Sequence, residues 1–377
     1  MRRKVLYVTG TRADFGLMTS TLEKIARSPA LDLGIVATGM HLDARYGSTI
    51  REVEATGIRL AGHVEVEEGE PTGALMAKNI GRMLIGFVDI FAAEKPDLVL
   101  VLGDRGEMLA GALAAIHLNV PVAHLHGGER SGTIDEPIRH AISKLSHYHF
   151  VASEESRERL LRMGEEERRI FVVGAPGLDG LAGLVRHDRR EICARYGLDP
   201  RQRFAMMVFH PVVQEAEASG PAADLVLARL RSAGVQVLAL MPNSDAGSQA
   251  VRDVLTRRHG SGEIALATHL SREQYVSALA VCDVLVGNSS SGIIEAATFG
   301  TPVVNIGSRQ NLRQRNANVI DADQNEAEID AALRSAFAAG RREMVNVYGD
   351  GRAGSRIVRL LETVDLGSDM LLKANAY

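Results

Sequence analysis

The chain has 377 residues, a formal net charge of −4 and two cysteines. That length exceeds one ordinary core and suits two α/β lobes, while a small net charge without any Lys/Arg block argues against nucleic acid as a partner. No run approaches a membrane span, residues 5–8 are too short for the apolar core of a signal peptide, and Cys193 and Cys282 stand far apart among apolar neighbours, as buried thiols of a reduced, cytoplasmic protein do.

In chain order, short β-rich runs at 5–8, 33–37, 97–102, 120–124 and 170–173 alternate with helical patterns at 17–27, 108–118 and 137–146. This βαβ rhythm predicts a doubly wound parallel sheet with helices on both faces. It breaks at 174–180, where three glycines and a proline fall within seven residues, the mark of a hinge or boundary. A second set follows: strands at 204–209, 235–240, 264–266, 283–287 and 303–306, with helices at 222–233, 248–258, 271–281 and 293–299. The expected division is a first lobe at 1–177, a second at 178–360 and a tail at 361–377, with the active site in the cleft between two Rossmann-like lobes.

The loops after these strands hold the chemistry, because ligands of open α/β sheets sit beyond the carboxyl ends of the strands. Gly10-Thr11-Arg12-Ala13-Asp14-Phe15-Gly16 joins the first strand to the first helix, where backbone N–H groups and the helix dipole favour an anion. Arg12 either forks onto a phosphate or is a solvated side chain on a tight turn. The pattern is neither G-x-G-x-x-G nor a Walker A motif, which disfavours a dinucleotide cofactor or ATP. Asp104 and Arg105 follow the most apolar strand; Asp104 is either a helix cap or a catalytic acid, and Glu107 could take the cap instead.

Residues 124–140 gather His124, His126, Glu129, Asp135, Glu136 and His140, with Gly127 and Gly128 allowing close approach of the backbone to a ligand. Pro137 suits a first helical turn, so one of Asp135 and Glu136 can cap while the other points into the cleft. Strand alternation would separate His124 from His126, and no metal site is expected. His210 ends the first strand of the second lobe and is as readily structural as functional. Gly287-Asn288-Ser289-Ser290-Ser291-Gly292 before a helix is a phosphate-binding signal, and Glu295, a turn on, either takes a sugar's paired hydroxyls or is salt-bridged.

Together, Gly10 to Asp14, Gly103 to Arg105, Gly127 to Glu129, Thr133 to Asp135, Ile138 to Ile142 with Lys144-Leu145, and Gly287 to Ser290 through Thr301-Pro302-Val303 resemble, in order, the hydrolysing branch of the nucleotide-sugar 2-epimerases, a family with the GT-B fold. The resemblance implies that Arg12, Arg105 and Arg309, together with Ser289, Ser290, Ser291 and Gly292 of the serine loop, hold the diphosphate of a nucleotide-sugar substrate, and that Glu295 holds the ribose. It implies Asp104, Asp135 and Glu136 as catalytic carboxylates and His210 as an aid to proton transfer or diphosphate departure, with no metal or redox cofactor and with a homodimeric or homotetrameric assembly. The implied chemistry is loss of nucleoside diphosphate to a glycal, then hydration to the free 2-epimer.

Sialic-acid-type members carry Glu where this chain has His126. His126 is similar to members that process 2,4-diacetamido-2,4,6-trideoxy sugars toward legionaminic acid, with Glu129 the neighbouring acid for the vacated role. The expected substrate is therefore a UDP- or GDP-linked diacetamido sugar ahead of UDP-N-acetylglucosamine. The rivals are a non-hydrolysing epimerase, a GT-B glycosyltransferase and a non-catalytic nucleotide-sugar sensor.

Overall fold

Five consecutive Leu and Val residues, Leu98–Leu102, form a strand with every residue buried, the pattern of a central parallel strand covered by helices on both faces. In the structure, a computed structural model that describes residues 2–70, 72–131, 135–242, 245–268 and 270–376, this strand is β4 of a seven-stranded sheet. The others are β1 (Arg3–Thr9), β2 (Leu31–Thr38), β3 (Arg59–Val64), β5 (Val122–Leu125), β6 (Tyr148–Val151) and β7 (Ile170–Val172). Their order is β3-β2-β1-β4-β5-β6-β7, and every pair is parallel.

The second lobe is built likewise from β8 (Phe204–Val208), β9 (Gln236–Leu240), β10 (Ala265–Ala267), β11 (Val284–Gly287), β12 (Val303–Ile306) and β13 (Val319–Ala322). They form a parallel six-stranded sheet of order β10-β9-β8-β11-β12-β13. In each sheet the winding reverses beside the first strand: β1 lies between β2 and β4, and β8 between β9 and β11. Such reversal points open a crevice at the carboxyl ends of the strands, and here they bring Gly10, Gly103, His210 and Asn288 to the rims of one cleft.

Each sheet is buried on both faces. In the first lobe Met18, Leu22 and Ile25 pack on one side and Phe87, Phe91 and Met108 on the other; in the second, Val226, Leu230 and Val251 oppose Ile192, Phe204 and Leu279. The predicted parallel sheets are present, together with strands β3, β6 and β13, which the sequence pattern does not single out. β3 is a half-exposed edge strand carrying Arg, Gly and His, and β6, Tyr-His-Phe-Val, buries a histidine where an apolar residue would have signalled a strand. Helix Gly73–Glu94 also escapes the pattern, because Ile85 on its outer side is 70% exposed. Gly86 seats this helix on β3, where a Cβ would lie 2.7 Å from the Val64 side chain.

The lobes are joined twice. At the predicted hinge, Ala175 donates its N–H to the Tyr348 carbonyl at 2.7 Å, so the outgoing and returning segments run side by side. The chain then returns to the first lobe, and this differs from a second lobe ending at 360. Helix Ala353–Thr363 buries Ile357 and Leu361 in the first lobe's core. Its N-terminus is capped by Asp179, which accepts from the N–H groups of Ala353 and Gly354 at 2.7 and 2.8 Å. This helix is not among the segments that the sequence pattern singles out, and the sequence order alone assigns it to the second lobe. Beyond it, Arg169 donates to the carbonyls of Met370 and Leu372 and fixes the tail on the same lobe.

Candidate active site

Two turns at the ends of β4 and β5 place the acids. Gly103 takes φ 83° and turns the chain into Asp104 and Arg105; after β5, His126 at φ 62° and Gly128 at φ 73° fold the loop back on itself. A Cβ at Gly128 would collide with the Ser156 carbonyl, so only glycine fits this left-handed position. The fold-back brings Glu129 to His126, with Oε1 against the ring Nδ1. A histidine whose Nδ1–H donates to a buried carboxylate presents its Nε2 lone pair outward, the tautomer of an oriented base.

Arg139, fully buried in helix Asp135–Leu145, ties these loops together. It donates to Asp104 Oδ2, to the Glu129 carbonyl at 3.1 Å and to Ser131 Oγ at 3.4 Å. From the other lobe, Arg313 reaches across with its Nη2 3.2 Å from Glu129 Oε2 and 3.8 Å from Asp104 Oδ2. Burial alone would raise the Glu129 carboxyl, but Arg313 and then His126 outweigh it and hold the group at about 2, ionised at neutral pH. Asp135 lines the same cavity of about 440 Å³ as Asp104, Arg105 and Asp245. Glu136 is occupied differently: it accepts from the Ser131 N–H at 2.7 Å and lies 3.5 Å from His140. Of the two neighbouring acids it is Asp135 that reaches the cavity. Thr133 and Ile134 lie outside the described residues.

The second group of side chains is cationic. Arg105 is held by Glu107 Oε1 and, across the cleft, by Asp245 Oδ1, each at 3.3 Å. Glu107 is therefore not a helix cap. Arg105 itself takes the cap position of helix Gly106–His117 without a side-chain cap bond, and Glu107 lies under Gly10, where any Cβ would strike its carboxylate side chain. His210 is fixed through its backbone: its N–H donates to Asn288 Oδ1 at 2.7 Å, and Asn288 Nδ2 returns a bond to its carbonyl at 2.8 Å. Arg309 and Gln310 both donate to the Asn288 carbonyl, at 3.1 and 3.0 Å. Burial, then Arg309, pushes His210 down to about 3. Burial also lowers Arg309, against the pull of Asp135 and Asp245.

The serine loop after β11 is ordered from within. Ser289 caps the short helix Ser290–Ile294 by accepting from the Ser291 N–H at 3.4 Å, and Ser291 Oγ meets both Ser289 Oγ at 3.0 Å and the Tyr275 hydroxyl. Gly292 in the first turn lies against Val303 and Leu285, where a Cβ would come within 2.9 Å of Val303. Glu295, 1% exposed, is gripped by Arg272, whose Nη1 stands 3.2 Å from Oε2 and whose Nη2 contacts Oε1 and the Gly177 carbonyl. The salt-bridged alternative for Glu295 is thus present, and each oxygen keeps a second lone pair for a hydroxyl donor. Arg12 is half-buried; burial lowers it, while Glu52 and Tyr275 favour its charge.

Five residues that sequence reasoning did not assign to the site stand in it: Arg139, Arg313, Asp245, Arg272 and Glu107. A signal existed for Arg313, because Arg309, Arg313 and Arg315 crowd the loop after β12. None existed for Asp245, whose partner lies on the other lobe. His124 is a core residue, with its ring nitrogens on Ser143 Oγ at 3.0 Å and the Gly103 carbonyl at 2.7 Å.

Residues 23–362 match the family model described as UDP-N-acetylglucosamine 2-epimerase. The chain is 49% identical over 377 residues, all of both chains, to the UDP-N,N'-diacetylbacillosamine 2-epimerase (hydrolyzing) of Legionella pneumophila. It is 34% identical over 365 residues, 96% of this chain and 95% of the other, to a UDP-N-acetylglucosamine 2-epimerase of Neisseria meningitidis. Its two lobes form the GT-B arrangement, similar to the crystal structure of UDP-GlcNAc 2-epimerase from Neisseria meningitidis bound to UDP-GlcNAc, with a TM-score of 0.79 at 18% identity over 95% of this chain and 99% of that one. Fold, collinear motifs and full-length identity agree: the chain belongs to the UDP-N-acetylglucosamine 2-epimerase family.

Proposed function

We propose that the protein is a hydrolysing 2-epimerase of a UDP-linked 2,4-diacetamido-2,4,6-trideoxy sugar, releasing UDP and the free 2-epimer on a route to legionaminic acid. The observation that carries this is the joining of the first-lobe acids Asp104 and Glu129 to the second-lobe Arg313, beside the guanidinium groups of Arg105 and Arg309 and the neutral His210. The identity of 49% to a protein named for that reaction supports the substrate.

In this reading the serine loop, Arg12, Arg105 and Arg309 receive the diphosphate, and Glu295 receives the ribose hydroxyls. The bond from carbon 1 to the diphosphate oxygen breaks with its electron pair leaving on the diphosphate. Arginine and backbone donors aimed at that oxygen stabilise the growing charge. Burial and Arg309 keep His210 neutral; a diphosphate dianion beside it raises its affinity for a proton, so it serves as a donor to the leaving group. Carbon 2 is a weak acid until oxocarbenium character develops at carbon 1, whereupon a base removes its proton and the glycal forms. The His126–Glu129 pair and Asp104 are the candidates for that base. Water then adds across the double bond, its hydroxyl to carbon 1 and a proton to the opposite face of carbon 2. Asp135, on the same cavity as Asp104, is the second acid that two-faced proton transfer needs.

A second reading, hydrolysis of UDP-N-acetylglucosamine to N-acetylmannosamine, is favoured by the 34% identity to a protein of that name. The experiment that separates them is phosphorus NMR of UDP release from each nucleotide sugar, with GDP-diacetylbacillosamine as a third. Turnover of the UDP-diacetamido sugar at least tenfold faster in kcat/KM supports the proposal; preference for UDP-N-acetylglucosamine overturns it. The proposal carries with it a cytoplasmic homodimer or homotetramer, readable by sedimentation. No helix among the described residues is long and apolar enough to cross a membrane.

A further inference from the structure

The cavity that holds Asp104, Arg105 and Asp135 at one end is walled at the other by apolar side chains: Leu75, Met76, Ile80 and Met83 from the first turns of helix Gly73–Glu94, with Met40 and Val66 beside them. At about 440 Å³ it has the volume of a small-ligand site. Polar side chains on its rim are engaged with neighbouring backbone and side chains. Asn79 accepts from the Glu67 N–H at 2.9 Å and donates to the Glu67 carbonyl at 3.0 Å, while the Glu67 carboxylate takes Arg82 at 2.7 Å. Arg45 grips Asp43 at 2.6 Å and the Gly69 carbonyl at 2.8 Å. Ile80 is set directly over the start of the helix that follows Arg105, where a Cβ in place of Gly106 would come within 2.7 Å of it. The wall is therefore apolar, and close to the acids.

We propose that Leu75, Met76, Ile80 and Met83 form the specificity wall that reads the carbon-4 acetamido methyl and the carbon-6 methyl of the sugar. The inference rests on the diacetamido substrate proposed above. Those are the two groups by which such a sugar differs from N-acetylglucosamine, which presents a hydroxyl and a hydroxymethyl instead. A hydroxyl turned toward this wall gives up its water and finds no donor or acceptor in return, whereas each methyl buried there contributes binding that the transition state keeps. One methyl group in an apolar pocket is worth roughly 10- to 200-fold in discrimination.

The test is a pair of near-isosteric polar replacements, Met76→Gln and Leu75→Asn, with Met76→Leu as the apolar control. The readouts are kcat/KM for UDP-2,4-diacetamido-2,4,6-trideoxyglucose, kcat/KM or the competitive inhibition constant for UDP-N-acetylglucosamine, and the inhibition constant for UDP alone. The expected result is a loss of about tenfold or more on the diacetamido substrate, with UDP unchanged, UDP-N-acetylglucosamine unchanged or improved, and discrimination kept in Met76→Leu. Equal losses on both sugars, or no loss on either, overturn the wall while leaving the substrate proposal standing. A wild-type enzyme that turns over UDP-N-acetylglucosamine and not the diacetamido sugar overturns the substrate proposal itself.

Discussion

Arg313 of the second lobe lies 3.2 Å from Glu129 of the first, both almost fully buried. This ion pair spans the cleft, and the same guanidinium stands 3.8 Å from Asp104. The relationship makes the ionised state of Glu129, a first-lobe acid, depend on a cation of the second lobe.

Replacing Arg313 by Gln leaves Glu129 buried without its strongest cationic neighbour. Loss of one partner of a buried pair costs about 3–5 kcal/mol, and kcat/KM should fall by roughly 10²-fold, with partial rescue by Lys. The carboxyl of Glu129 is depressed in the folded protein, so its contribution to stability is present above the ordinary glutamate value and is lost as pH falls through the folded one. The gap in stability between wild type and Arg313→Gln should therefore narrow below about pH 4, as read by chemical denaturation across pH.

Asp104→Asn keeps the shape of the side chain and removes its charge from Arg139 and Arg313. Turnover should drop by about 10²- to 10⁴-fold, while UDP affinity by calorimetry stays within a few-fold. A protein that only senses nucleotide sugars would show no turnover to lose.

His210 is neutral before ligand arrives, because burial and Arg309 push it down to about 3. If diphosphate raises it, UDP binding at pH 6 takes up a proton. Calorimetry in buffers of different ionisation enthalpy should report that uptake in the wild type and not in His210→Asn. Equal uptake in both proteins would place the proton elsewhere.

Away from the cleft, Lys373 of the tail lies 2.6 Å from Glu165, whose carboxylate also meets His149 and Lys144 at 2.9 Å. Lys373→Met takes one cation from a buried carboxylate that keeps Lys144 and His149 and should destabilise by about 1–3 kcal/mol, lowering Tm while kcat/KM at 25 °C is retained.

The chain's alternation of apolar strands and amphipathic helices made the two parallel sheets legible, and Gly-Asp-Arg after β4 and Asn-Ser-Ser-Ser after β11 made the rims of the cleft legible, because position at a strand end is a property of sequence order. What could not be read were partners joined only in space. Arg313 with Glu129, Arg105 with Asp245 and Arg272 with Glu295 meet across the fold, and no local pattern names the partner that each charge takes. Glu107 was misread for the related reason that a helix-start acid fits a cap in sequence, while its burial under Gly10 appears only in three dimensions. Helix Ala353–Thr363 follows the second lobe in sequence, and its return to the first lobe's core appears only in three dimensions.

The most direct test of the central claim is proton NMR in deuterated water with the UDP-linked diacetamido sugar. The account expects free UDP together with a released sugar that is inverted and deuterated at carbon 2. An epimer still joined to UDP, or release of sugar with carbon 2 neither inverted nor deuterated, would contradict it.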